Sequence, residues 1–203
     1  FWLLGSFIVA TAVCFLAKHL GRGFLIGVFG GSTILSLSVV NKFVQIGPFE
    51  VSAAIMVYSL TFLLTDAISE KWGKQAAKRA VWASLGLYVL YLFTTQFALL
   101  LPATAWWNGQ NSFEFVFGTS WRIALASFVA LLFAQLHDVW SYHFWKKKTK
   151  GKYLWMRNIF STIPSQIIDS LLFYTIAFYG IFPIGEVIIA TIVFKILIAM
   201  KKC

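Results

Sequence analysis

The stretch Ile159-Phe-Ser-Thr-Ile-Pro-Ser-Gln166-Ile-Ile-Asp169-Ser-Leu-Leu-Phe-Tyr-Thr-Ile-Ala-Phe-Tyr-Gly180 decides how this chain is read. It is long enough to cross a hydrocarbon core that needs roughly 20 apolar residues, yet it carries a carboxylate. With Asn158 just before it, Thr162, Ser165 and Asp169 follow at steps of four, three and four, so the polar groups share one helix face. A carboxylate at the bilayer centre costs at least about 2.5 kcal/mol and calls for a partner, water or a ligand. A second string, Gln135-Leu-His-Asp138, repeats the Gln-x-x-Asp spacing of Gln166 to Asp169 and again sets an amide beside a carboxylate.

The rest of the chain has the same character. Its 203 residues are 60% hydrophobic and only 12% charged, with a mean hydropathy of +0.80. A soluble domain carries about 25% charged residues, so this is the composition of an integral membrane protein. Seven apolar segments are predicted as helices, at Phe1 to Ala17, Gly23 to Val40, Val51 to Ser69, Val81 to Leu101, Ile123 to Phe144, Ile159 to Gly180 and Ile184 to Met200. The fold class expected is all-α, a polytopic membrane helical bundle forming a single domain over residues 1–203. The first segment is short and begins at Phe, which suggests that the true start lies upstream. The rival reading of a cleaved signal peptide lacks a basic flank and a clear cleavage site.

The formal charge of +10 is distributed by side. Lys18 and Arg22, then Lys71, Lys74, Lys78 and Arg79, then Lys146 through Arg157, then Lys201 and Lys202 occupy alternate connections, whereas Lys42 and Arg122 stand on the other side. By the positive-inside rule the rich side is cytoplasmic, with the C-terminus inside. The charge therefore reports topology and contact with anionic lipid, not nucleic-acid binding. Cys14 and Cys203 show neither disulfide nor metal spacing.

Packing features are legible as well. Ala126, Ala130 and Ala134 form a ridge that leads into Asp138, with Ser127 flanking it, and should be buried against protein. Gly27, Gly30 and Gly31 offer a second close-contact surface. Pro164 frees the carbonyl of Phe160, and a kink is expected beside the polar stripe. Asp169 lies twelve residues after Arg157 and Lys195 eleven after Ile184, roughly 18 Å and 16 Å deep from opposite sides. A buried Asp169 to Lys195 pair is expected, either as a tie between helices or in direct substrate contact. The connection from Pro102 to Thr119 reads as an aromatic belt, with Trp106, Trp107 and alternating Phe113, Phe115 and Phe117, and a lid as its functional alternative.

Asp66 lies a turn deeper than Glu70, and Ser59, Phe62, Asp66 and Glu70 share a face. Glu70 is expected to pair with Lys74 at the interface. Asp66, Asp138 and Asp169, with Gln135, Gln166 and Asn158 beside them and Phe62 and Tyr58 nearby, combine acceptors, amides and rings. That inventory suits a flat polar heterocycle, and equally a cation or a proton relay. His19, His137 and His143 show no metal-binding pattern, and neither a nucleophile elbow nor a phosphate loop occurs.

Several separated motifs resemble one family. Leu60-Thr-Phe-Leu-Leu-Thr-Asp66-Ala-Ile-Ser-Glu70-Lys-Trp-Gly73-Lys, Arg122-Ile-Ala-Leu-Ala-Ser127, Gln135-Leu-His-Asp138-Val, Leu154-Trp-Met-Arg157-Asn158-Ile-Phe-Ser161-Thr162, Ser165-Gln166-Ile-Ile-Asp169 and Ala177-Phe178-Tyr-Gly180 look like the motifs, in order, of the queuosine precursor transporter family, also called the vitamin uptake transporter family. Lys195 fits too, and the likeness runs over about residues 35–198. Relative to a six-helix family core the first helix looks like an addition, and the Lys-Lys-Cys ending suggests a truncated C-terminus. The resemblance implies a secondary transporter, not an enzyme, that imports 7-deazaguanine precursors of queuosine across a bacterial inner membrane. These are chiefly 7-cyano-7-deazaguanine, with 7-aminomethyl-7-deazaguanine as a further candidate. It implies no cofactor or metal, and a homo-oligomer is compatible with it. Asp138 with Gln135, and Asp169 with Gln166 and Asn158, are expected to line the site. Asp66 and Phe62 are expected among the substrate-binding residues, Asp66 supporting or gating the site, and Lys195, Arg157 and Glu70 support or gate it. Asp138 with Gln135 is the pair expected to touch substrate, with the charge-paired Asp169 the more structural. The alternatives are a substrate-binding subunit of an energy-coupling-factor transporter, for which the alanine ridge would be a docking surface, and a membrane-embedded enzyme.

Overall fold

Gly21 and Gly73 interrupt the two longest helices, with φ/ψ of 79°/−168° and 81°/177°. Only glycine adopts that region without strain, since a Cβ would clash there. The computed structural model describes residues 2–46, 49–118, 121–181 and 184–200. The element order is α1 (Trp2–Ser38), β1 (Phe43–Ile46), β2 (Phe49–Ser52), α2 (Ala54–Leu100), α3 (Gln110–Phe117), α4 (Trp121–Lys148), α5 (Leu154–Phe178) and α6 (Ile184–Met200). A straight 47-residue helix would measure about 70 Å, more than twice the hydrocarbon thickness, so α2 needs its break at Gly73.

The helical membrane architecture agrees with the sequence reading, while its division differs. Most of the first and second predicted segments falls in α1, and most of the third and fourth in α2. Among the described residues, four stretches, in α1, α2, α3 to α4 and α5, are long and apolar enough to cross a membrane. The 17-residue α6 spans about 25 Å, short of a hydrocarbon core of about 30 Å. Lys201 and Lys202 lie outside the described residues.

Two elements were not predicted. Residues assigned from sequence to the start of the third helix belong instead to a β-hairpin, with Phe43 opposite Ser52 and Ile46 opposite Phe49. The Ala53 amide donates to the Lys42 carbonyl at 2.7 Å and Ser52 Oγ to the Val40 carbonyl at 2.8 Å, closing the hairpin onto the end of α1. Fully buried Val51 packs with Ile55 and Phe194, which docks the hairpin on α6. The connection read as an aromatic belt contains α3. Phe113 and Phe117, four apart, bring their ring centroids to 4.7 Å in a tilted contact, while Phe115 projects from the other face and is exposed.

The main core joins Leu25 and Phe29 of α1 to Leu64, Ile68, Ala76, Ala77, Ala80, Val81 and Leu85 of α2 and to Leu131 and Val139 of α4. Of the three glycines expected to make close contact, only Gly30 does: a Cβ there would come within 2.5 Å of Leu87, whereas Gly27 and Gly31 face open space. The alanine ridge of Ala126, Ala130 and Ala134 is buried. Pro164 does not end α5, which is continuous through it. The Phe160 carbonyl accepts a hydrogen bond from Ser141 of α4 at 3.3 Å, replacing the amide that proline lacks. At the far end of the same helix pair, Arg122 caps α5 by donating to the carbonyls of Ile176 and Tyr179, both at 2.7 Å.

Candidate functional site

Along α5 the polar stripe is turned inward, and Thr162, Ser165, Gln166 and Asp169 are all buried. Asp169 uses both oxygens: Oδ1 accepts from the Tyr58 hydroxyl at 2.6 Å and Oδ2 from Lys195 Nζ at 2.6 Å. Lys195 also donates to Ser170 Oγ at 2.9 Å and lies 5.4 Å from the centroid of the Tyr58 ring. Asp169 and Lys195, level in depth by residue count, are joined in the structure. Such a buried pair is retained only where further hydrogen bonds offset its desolvation, as Tyr58 and Ser170 do here.

This pair forms one wall of an open cavity of about 650 Å³, a volume that includes the solvent space at its mouth. The lining runs from the hairpin end, at Leu37, Val40, Ser52 and Ala54, to Asp169 and Lys195. Ser127 and Ala130 of α4 close one side, and Phe173 and Tyr174 supply rings. The Tyr174 hydroxyl lies 3.0 Å from Thr191 Oγ1.

The other candidates lie deeper, toward the opposite end of α2 and α5. Gln135 Nε2 donates to Thr61 Oγ1 at 2.9 Å, and Thr65 Oγ1 stands 3.3 Å from both Gln135 Oε1 and Asp138 Oδ2. Gln135 and Asp138 are fully buried in this contact between α2 and α4, and neither lines the cavity. Thr162 Oγ1 donates to Asp66 Oδ2 at 3.3 Å, and Phe62 is sealed against Tyr58, ring edge to face at 5.7 Å. Gln166 is 1% exposed, and neither end of its amide finds a hydrogen-bond partner among the described residues. Asn158 stands one turn before Thr162, near the end of α5 where Arg157 lies.

At that end Glu70 gathers Tyr142 OH at 2.6 Å, Lys146 Nζ at 2.8 Å and Arg157 Nη1 at 3.1 Å. The expected partner, Lys74, is replaced by residues from α4 and α5. An i,i+4 pair needs unbroken helix between its members, and the Gly73 break lies between Glu70 and Lys74. Glu70 and Arg157 thus tie three helices together.

Of the ten residues named from sequence, Asp169 and Lys195 line the cavity. Thr33, Ser36, Tyr174 and Thr191 line it too and were not named. Thr191 with Lys195 at i,i+4, and Thr33 with Ser36 at i,i+3, were signals available in the sequence.

The family model described as "Putative vitamin uptake transporter" matches residues 52–201. The chain is 30% identical over 184 residues to a protein of Bacillus subtilis (strain 168) named "Probable queuosine precursor transporter", covering 90% of this chain and 80% of that one. No solved structure matches. Both comparisons point to transport and not to an enzyme. With a match over three of its four apolar spans and a relative that it parallels along most of its length, this multi-pass membrane chain belongs to the vitamin uptake transporter family.

Proposed function

We propose that this chain is a secondary transporter that imports a 7-deazaguanine precursor of queuosine across the bacterial inner membrane. The observation that carries this reading is the Asp169–Lys195 pair, a built polar end to a cavity inside an apolar bundle. A guanine-like base offers N–H donors on one edge and a carbonyl acceptor, which suits unused acceptors and a lysine with a spare donor. Phe173 and Tyr174 supply surfaces for the ring. Paired with Lys195, Asp169 contributes no net charge to the wall, so the neutral cyano precursor is favoured over the cationic aminomethyl one.

Orientation follows from the charges: the hairpin end faces out, and the lysine-rich end with Glu70 and the C-terminus faces in. Ordered along α2 and α5, the contacts at Phe62, Gln135, Asp138, Asp66, Gln166 and Asn158 lie between the cavity and the Glu70–Arg157 cluster. We assign them to the inner half of the pathway, met by substrate after the cavity closes. The alternative of an energy-coupling-factor subunit drew on the alanine ridge as a docking surface, and that ridge is occupied within the chain itself.

The test is uptake of the two radiolabelled precursors into vesicles holding this chain alone, without ATP. The expected result is saturable uptake of the cyano compound, outcompeting the aminomethyl one, that is abolished by Asp169→Asn and by Asp138→Asn while both variants insert normally. Absence of uptake without ATP and partner subunits would overturn the secondary-transporter reading. Full uptake by either variant would remove that residue from the pathway.

A further inference from the structure

Thr33 and Ser36 stand one turn apart on α1, outside residues 52–201, yet both line the cavity that holds Asp169 and Lys195. Each is almost fully buried, at 2% and 4% exposure. Their hydroxyl hydrogens are already committed to their own helix: Thr33 Oγ1 donates to the Phe29 carbonyl at 3.1 Å and Ser36 Oγ to the Thr33 carbonyl at 2.7 Å. A hydroxyl has one hydrogen and two lone pairs, so each of these oxygens faces a ligand as an acceptor. Across the cavity the valences differ. Both Asp169 oxygens are engaged, and Lys195 has two of its three N–H bonds engaged, leaving one to donate. The α1 wall therefore offers these two acceptors, whereas the α5–α6 wall adds a free donor beside a carboxylate whose oxygens each already accept one bond.

We infer that Thr33 and Ser36 are specificity-determining residues that accept the N–H edge of the substrate, opposite the Lys195 donor that meets its carbonyl. This rests on the reading of the site as one for a guanine-like base. It adds that the base is recognised by its exocyclic amino group, through a helix that lies outside the residues the family model matches. The position of α1 is held by the close approach of Gly30 to Leu87 and by the buried Leu25 and Phe29. The two hydroxyls are thus presented from a packed surface, as discrimination by hydrogen bonding requires.

The experiment measures binding of 7-cyano-7-deazaguanine and of its analogue lacking the 2-amino group to purified full chain, for wild type, Thr33→Val, Ser36→Ala and the double variant. Wild type should prefer the amino compound by about tenfold or more, because an analogue that leaves buried acceptors unpaired is rejected. The double variant should lose that preference to within about twofold, through weaker binding of the amino compound and near-unchanged binding of the analogue. Retained binding of the analogue shows that the variant is folded, and the single variants provide the same comparison should the double variant not fold. A double variant that keeps the wild-type preference overturns the inference, as does a wild type that binds both compounds equally, and each leaves the transport reading intact. A wild type that binds neither compound overturns both.

Discussion

Lys195 Nζ lies 2.6 Å from Asp169 Oδ2, with both side chains less than a tenth exposed. The consecutive helices α5 and α6 depend on this contact for charge neutrality. Lys195→Met is expected to destabilise the protein by about 3–5 kcal/mol, because it strands a buried carboxylate. Adding Asp169→Asn to it should restore part of that loss while uptake stays abolished. Thermal unfolding in detergent checks the first statement, and a double variant no more stable than Lys195→Met would refute the second.

The cluster around Glu70 separates an exposed partner from a buried one. Lys146 is about one-third exposed in its pair with Glu70, so Lys146→Ala should cost no more than about 1 kcal/mol. Glu70→Gln should cost more, because it removes the only ion-pair partner recorded among the described residues for the Arg157 guanidinium, which is 3% exposed. Equal unfolding temperatures for the two variants would show that the buried arginine does not need Glu70.

Serine on one helix compensates for proline on another. Ser141→Ala leaves the Phe160 carbonyl without its donor and should cost about 0.6 kcal/mol, the usual scale for a hydrogen bond between membrane helices. In a Pro164→Ala background the backbone amide at 164 takes that carbonyl, and the cost of losing Ser141 should fall to near zero. A double-mutant cycle without coupling would refute the compensation.

Glycines divide sharply by backbone conformation. Gly73→Ala places a Cβ at φ 81°, ψ 177° and should cost about 1–3 kcal/mol, since only glycine populates that region freely. Gly27→Ala, in regular helix with open space around the added Cβ, should be neutral or stabilising by up to about 1 kcal/mol. The two unfolding curves should therefore shift in opposite directions or by clearly different amounts, and matching shifts would count against the distinction.

Much of the fold is present in local pattern. Hydropathy and charge alternation give a helical membrane protein whose basic connections collect at one end, and Glu70, Lys146 and Arg157 do meet there. Depth counting from Arg157 and from Ile184, near the starts of two successive helices, places Asp169 level with Lys195, because rise per residue in a helix is constant. The hairpin escaped because two four-residue strands next to a long apolar run leave little periodic signal, although the Gly47-Pro48 pair is a turn signal in the sequence. Helix α3 escaped because Phe113, Phe115 and Phe117 imitate strand alternation, whereas the i,i+4 contact of Phe113 with Phe117 is the one realised.

The amino-acid sequence alone established the class, the polar groups that must be buried, and the partner of Asp169. It did not reveal which buried groups face open space. Gln135-Leu-His-Asp138 and Gln166-Ile-Ile-Asp169 look alike as strings, yet Gln135 and Asp138 close on Thr61 and Thr65 while Asp169 borders the cavity. Helical periodicity determines which residues share a face, because it depends only on backbone geometry within one segment. Which way that face turns depends on the rotation and packing of every neighbouring helix, and that is a property of the assembled bundle.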